Sequence, residues 1–168
     1  MLFTPTLSAD RDLATAADYR QWSQAAQEHD RKSGALAWRN ADESGNFDYR
    51  AIRARLERLQ ALSAANDVKG LLFVLNEGIH GNIDGMGHER LYQKSRFGTK
   101  RLIEDYIAAV VSALDRIAAS RAIPRDEKRD FFRRAQHCYG RSALLLSGSG
   151  AFLYFHVGVV RALWSEGV

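Results

Sequence analysis

Cysteine is almost missing from this 168-residue chain. Cys138 stands alone, so no disulfide forms within it, and a reducing compartment and a packed, unreactive thiol are expected. A strong excess of either charge is missing too. Lysine and arginine number 24 against 20 aspartates and glutamates, a formal net charge of +4. That favours anionic surfaces but is too small to imply nucleic acid as a partner. The opening MLFTPTLSADRD lacks the basic start and apolar core of a secretory signal. No internal repeat and no low-complexity tract is present. One run imitates a membrane span: 142–160 is free of Asp, Glu, Lys and Arg, and a span takes roughly 20 such residues. SGSG interrupts it at 147–150, and Arg161 and Glu166 follow closely. A buried strand, turn and helix is therefore preferred to a tail anchor. What is there is ordinary: a 46% hydrophobic and 26% charged composition places the chain among folded globular proteins.

Helical patterns dominate residues 15–140, after a loosely held arm at 1–14. A first helix is predicted to start near Thr15, with Asp18 as its capping-box partner. It carries Tyr19, Trp22, Ala25 and Ala26 on one face and ends at Ser33-Gly34. Leu36 and Trp38 fall in a connector before the polar turn 40–47. Asp48 is an N-cap for a second helix with Tyr49, Ile52, Leu56, Leu59 and Leu62 as its apolar stripe. Arg50, Arg53, Arg55 and Arg58 occupy its solvated faces beside Glu57. Asn66 and Asp67 break that helix and cap a short one whose Leu71–Leu75 run, apolar all round, belongs at the centre of the core.

A glycine-rich loop, 78–88, follows. Its His80, Asp84 and His88 match no familiar metal-ligand spacing, and turn chemistry is the preferred reading. Leu91 to Lys94 suggest one helical turn. Thr99 is the expected N-cap of the clearest helix, Lys100 to Ala119, with Leu102, Ile103, Tyr106, Ile107, Val110, Val111, Leu114 and Ile117 as a broad apolar face. Pro124 suits the first turn of a helix that Gly140 closes, with Phe131, Phe132 and Ala135 inward. Arg121, Arg125, Lys128, Arg129, Arg133 and Arg134 make this region basic. A solvated face is the default. Attraction to an anionic membrane, roughly 1 kcal/mol per basic residue, is the alternative.

The end of the chain changes character. Ser142 to Leu146 reads as a buried strand, Ser147 to Gly150 as a small-residue turn, and Phe155, Val159, Val160 and Leu163 as one face of a helix. Such a unit points backbone N–H groups at an anion. Dinucleotide binding has only Gly148 and Gly150, with Leu153 where a third glycine belongs. A P-loop is excluded because no Gly-Lys-Ser/Thr follows. An oxyanion hole, each donor stabilising an acyl intermediate by roughly 3–4 kcal/mol, is the third reading.

The run LLLSGSGAFLYFHVGVVRAL, 144–163, resembles the opening of a patatin-like domain, His156 to Leu163 following that family's helix pattern. LLFVLNEGIHGN (71–82), FGTKRLIEDYI (97–107) and GRSALLLS (140–147) are similar to the helical extension of patatin-like triacylglycerol lipases. The resemblance implies a mainly-α chain. A helical N-terminal domain over 15–140 would be followed, at 141–168, by the first β-strand, glycine loop and helix of an incomplete α/β hydrolase fold.

It also implies hydrolysis of a lipid ester by a Ser–Asp dyad without metal or cofactor, in the cytoplasm or at a membrane or lipid-droplet surface, with no nucleic-acid partner. Gly148, Ser149 and Gly150 match the oxyanion turn. Phe152 and Leu153 stand where many patatins have a basic residue and a glycine. His156 matches a family histidine and reads as a packing group, not the dyad's base. No serine here has glycine two residues before and two after it, so the chain is expected to be the N-terminal part of such a hydrolase and inactive alone. The alternative is a non-enzymatic helical module that binds a partner or an anionic membrane. Strand 142–147 has no partner within the chain, so exposed apolar surface on helix 154–165 and self-association through the strand are expected.

Overall fold

The computed structural model describes residues 13–79, 82–139 and 153–165. Aspartate side chains start three of its helices. Helix α1, Tyr19–Ser33, begins at Asp18, whose carboxylate accepts from the Gln21 N–H. Helix α3, Tyr49–Ala64, begins at Asp48, which accepts from Arg50 and Ala51. Helix α4, Val68–Glu77, begins at Asp67, which accepts from Gly70. Each bond satisfies an N–H that the first turn leaves without a partner. Asp18 is thus the N-cap itself and not a capping-box partner of Thr15, and α1 starts later than expected.

Gly34, at φ 80°, closes α1 in the left-handed conformation. Helix α2, Ala35–Asn40, follows at once, so Leu36 and Trp38 lie in a helix and not in a connector. The core is assembled on α5, Arg101–Ala119, which packs against α3 and α4. Leu102, Ile103, Tyr106, Val110, Ala113 and Ile117 are buried there with Ile52, Leu56 and Leu59 of α3 and Leu71, Leu72, Val74 and Leu75 of α4. Helix α6, Arg125–Tyr139, adds Phe131 and Ala135.

Two expectations about this core are corrected. Ile107 and Val111 are exposed, and so is Phe73 in the run expected to be central. An α-helix buries only the stripe its neighbours cover, whatever the polarity of its remaining face.

The described part of the glycine-rich loop is packed. Ile79, Ile83 and Met86 are buried, and Arg55 donates to Asp84 at 2.8 Å. Gly85, at φ 83°, lies against the Asn46 and Phe47 backbone, where a Cβ would approach the Asn46 carbonyl to 3.3 Å. Short 3₁₀ turns occupy Ile83–Gly85 and Glu89–Leu91, the second in place of the turn expected over Leu91–Lys94. Lys100, not Thr99, holds the cap position of α5. The Thr99 hydroxyl donates instead to the Leu91 carbonyl.

The α/β part of the expected fold class is corrected. Among the described residues there is no strand and no sheet, and every element is helical. A sheet needs strands to pair, and the described segments carry apolar residues at helical spacing throughout. The strand expected over 142–147 and the turn after it lie outside the described residues. The helix of that unit is described: α7, Leu153–Ser165. No residue of it from 154 to 165 is buried.

Candidate functional site

Three groups of residues compete for a functional role. The expected oxyanion residues, Gly148, Ser149 and Gly150, lie outside the described residues, as does His80. Of the other loop residues weighed as ligands, Asp84 pairs with Arg55, and His88 Nδ1 accepts from the Arg90 N–H at 3.2 Å. Among the described residues no three His, Cys, Asp or Glu side chains are placed to hold a metal ion. His156 is half-buried on α7 with its ring centroid 6.0 Å from that of Phe155. Cys138 is exposed, which corrects the packed thiol.

The basic residues divide into two sets. Lys128 donates to the carbonyls of Ala118 and Ser120 at 3.0 and 2.8 Å, and so closes the C-terminal end of α5. Arg129 pairs with Asp126 at 3.2 Å, and Arg134 donates to Asn76 at 3.2 Å. Arg121, Arg125 and Arg133 are exposed and have no carboxylate partner among the described residues. The outward charge is therefore smaller than six arginines and lysines suggest.

The densest polar cluster surrounds Phe97-Gly98-Thr99-Lys100. Asp30, fully buried at the end of α1, accepts from the N–H groups of Arg96 and Phe97 at 2.8 and 2.9 Å. Arg39, buried on α2, donates to the Thr99 carbonyl at 2.9 Å and to both Glu104 oxygens at 2.8 and 3.0 Å. Glu104 also accepts from the Thr99 N–H at 2.9 Å. Gly98 takes the left-handed conformation at φ 72°, and a Cβ there would displace the Glu104 carboxylate from its place beside Arg39.

Lys100 is fully buried and donates to three carbonyls, those of Trp38, Ala41 and Glu43, at 2.7, 2.6 and 3.0 Å. Its ammonium lies 4.6 Å from the Trp38 ring centroid. Burial pushes its pKa below the usual lysine value. The like charge of Lys94 pushes the same way, and Asp42 opposes.

With these bonds made, the cluster is a clamp. It ties α1, α2 and the start of α5 across more than sixty residues of chain, and its chemistry is positioning, not turnover. Sequence reasoning missed Asp30, Arg39, Glu104 and Lys100 as a group. The one available signal is Asp30 itself, a carboxylate one turn after Ala26 on the inward face of α1.

Beside the clamp, a groove of about 530 Å³ runs between the end of α1, the start of α2 and residues 93–96. The Lys94 ammonium stands at its edge, 5.6 Å from the Trp38 ring centroid.

The sequence family described as Domain of unknown function (DUF3336) matches residues 6–137. The chain is 34% identical over 152 residues to a patatin-like phospholipase domain-containing protein of Cryptococcus neoformans, a match covering 90% of this chain and 18% of that protein. A protein of the same description from Aspergillus clavatus is 34% identical over 173 residues, covering 94% of this chain and 24% of its own length. A third, from Yarrowia lipolytica, is 34% identical over 154 residues, covering 92% and 19%. The chain thus spans a quarter or less of the curated relatives it matches. No solved structure shows a significant match.

Proposed function

The chain belongs to the family described as Domain of unknown function (DUF3336), and on that premise we propose that it is the helical extension and opening segment of a patatin-like lipid-ester hydrolase. In this reading 1–14 lead in, 15–140 form the helical part, and 141–168 enter the catalytic domain. Gly148, Ser149 and Gly150 supply backbone N–H donors to the oxyanion that forms when a lipid ester is attacked. The attacking serine and its aspartate base belong to the remainder of the hydrolase, since no Gly-x-Ser-x-Gly occurs here. The 168 residues alone hydrolyse no ester. The whole protein acts without metal or cofactor, in the cytoplasm or at a membrane or lipid-droplet surface.

The observation that carries this reading is the match of nine-tenths of the chain to proteins named for a patatin-like phospholipase domain. The exposed apolar side chains of α7 agree with it, since a catalytic domain would have to cover them. Two measurements test it. A Gly-x-Ser-x-Gly encoded shortly after codon 168 is expected, and an in-frame stop directly after that codon overturns the hydrolase reading. The purified polypeptide should show no turnover of a chromogenic acyl ester. Turnover abolished by a serine-directed phosphonate would overturn its inactivity.

A second reading rests on Arg121, Arg125 and Arg133, whose charges are not neutralised by carboxylates among the described residues. Through them the helical part would lie on an anionic membrane as a non-enzymatic module. Salt-sensitive flotation with phosphatidylserine vesicles is expected in that case, and its absence removes this reading.

A further inference from the structure

The groove between the end of α1, the start of α2 and residues 93–96 has a one-sided charge. Lys94 has no carboxylate partner among the described residues. Its ammonium instead faces the Trp38 ring at 5.6 Å. Lys100, on the same ring at 4.6 Å, is held by three carbonyls, which are dipoles and not countercharges. The two ammonium groups are close enough for Lys94 to disfavour the charged form of Lys100.

The nearby carboxylates are committed elsewhere. Asp30 is taken by the Arg96 and Phe97 N–H groups, with the His29 ring 3.6 Å away, and Asp42 pairs with Arg53. Gln93 lies on the same wall, and its carboxamide makes no hydrogen bond among the described residues. The volume, about 530 Å³, suits a small molecule, since such sites run from about 300 to 1,000 Å³.

We infer that this groove binds a phosphate monoester, with Lys94 as its principal cation, Gln93 as a further donor and Trp38 as an apolar floor. A dianion gains more than a monoanion from the Lys94 ammonium, a groove charge that no carboxylate among the described residues pairs with. A compact ammonium, as on Lys94, suits a tetrahedral oxyanion presented as a point charge. The carrier of the phosphate is either a soluble monoester or a phosphatidic acid headgroup. The inference does not depend on the hydrolase reading, because every residue it uses lies in the helical part.

The test is an NMR titration of the full chain, following the Trp38 indole N–H, which is assigned by its loss in Trp38→Phe. The titrants are inorganic phosphate, glycerol 1-phosphate, and vesicles of phosphatidylcholine with or without phosphatidic acid. Saturable movement of the Trp38 signal is expected. Lys94→Ala should weaken it about tenfold, as for loss of one hydrogen bond to a charged group. Lys94→Arg should retain most of it, and Lys69→Ala on α4 should leave it unchanged.

Response to the soluble phosphates identifies a soluble monoester. Response only to vesicles with phosphatidic acid identifies a headgroup. Either, if dependent on Lys94, supports the inference. No saturable response to any of them overturns it, and so does a response that Lys94→Ala leaves intact. Lys94 is exposed, so the variants should fold, and unchanged circular dichroism would establish that they do.

Discussion

Helices α5 and α7 are both rich in large apolar side chains, and they meet opposite fates. On α5, Ile103 and Ile117 are completely buried, and Leu102 and Val110 are 2% exposed. On α7, Tyr154 is 86% exposed and Trp164 82%. Composition does not separate the two helices. Partners do: α5 has α3 and α4 laid along one stripe, whereas no such cover reaches α7 among the described residues. Hydrophobic burial stabilises by roughly 25 cal/mol per Å² removed from water, so an apolar helix contributes to stability only where another surface meets it.

Mutations can break or sharpen this contrast, and the largest effect belongs to α5. Ile103→Ala should cost about 4 kcal/mol in urea unfolding, through lost transfer energy and the cavity left behind. A loss like that of a surface substitution would mean that α5 is not the spine. Next comes the clamp that seats α1 and α2 against α5. Asp30→Ala leaves two amide N–H groups without their acceptor and should cost about 3 kcal/mol. Hydrogen exchange should accelerate at Arg96 and Phe97, and unchanged protection there would contradict the role given to Asp30.

Gly98→Ala forces a side chain into a left-handed conformation beside Glu104. About 2 kcal/mol of destabilisation is expected from the unfolding midpoint. Trp164→Ser on α7 should change stability by less than about 0.5 kcal/mol, while reducing binding of an apolar dye. A loss as large as that of Ile103→Ala would show that α7 is covered after all.

The smallest effect is at the surface of α1. Arg31 and Lys32 hydrogen-bond to Glu28 and lower its pKa from 4.5 to about 2. A depressed folded-state value stabilises above the ordinary carboxylate range, and that contribution is lost as pH falls through about 2. Carboxyl NMR should find Glu28 titrating near 2, and back near its ordinary value when Arg31 and Lys32 are both alanine.

The legible parts of this fold were local. Asp48 and Asp67 were readable as caps because a capping carboxylate reaches an N–H two or three residues ahead on its own helix. Gly34 was readable because only glycine takes the left-handed turn without strain. The stripe of α3 was readable from its spacing, and that spacing also put Arg53, Arg55 and Arg58 on the outer faces, where they pair with Asp42, Asp84 and Glu77. Helix α2 was missed because its six residues are too few to show a period. The bonds of Asp30 and Arg39 were missed because their partners lie more than sixty residues away. The groove was missed because Trp38 and Lys94 are far apart in the chain and face each other only in the folded molecule, where Lys100 holds the 38–43 segment.

By itself, then, the order of residues determined where most helices start and stop and which face of each is apolar, because caps and stripes act within a turn or two of chain. It also carried the kinship with patatin-like proteins, since FGTK and the 144–163 run can be recognised without coordinates. Only the tertiary structure decided which apolar faces are covered, which basic residues are left facing water, and that Thr99 and Lys100 of FGTK are buried in a clamp. Those outcomes depend on contacts between distant segments, and such contacts exist only once the chain has closed on itself.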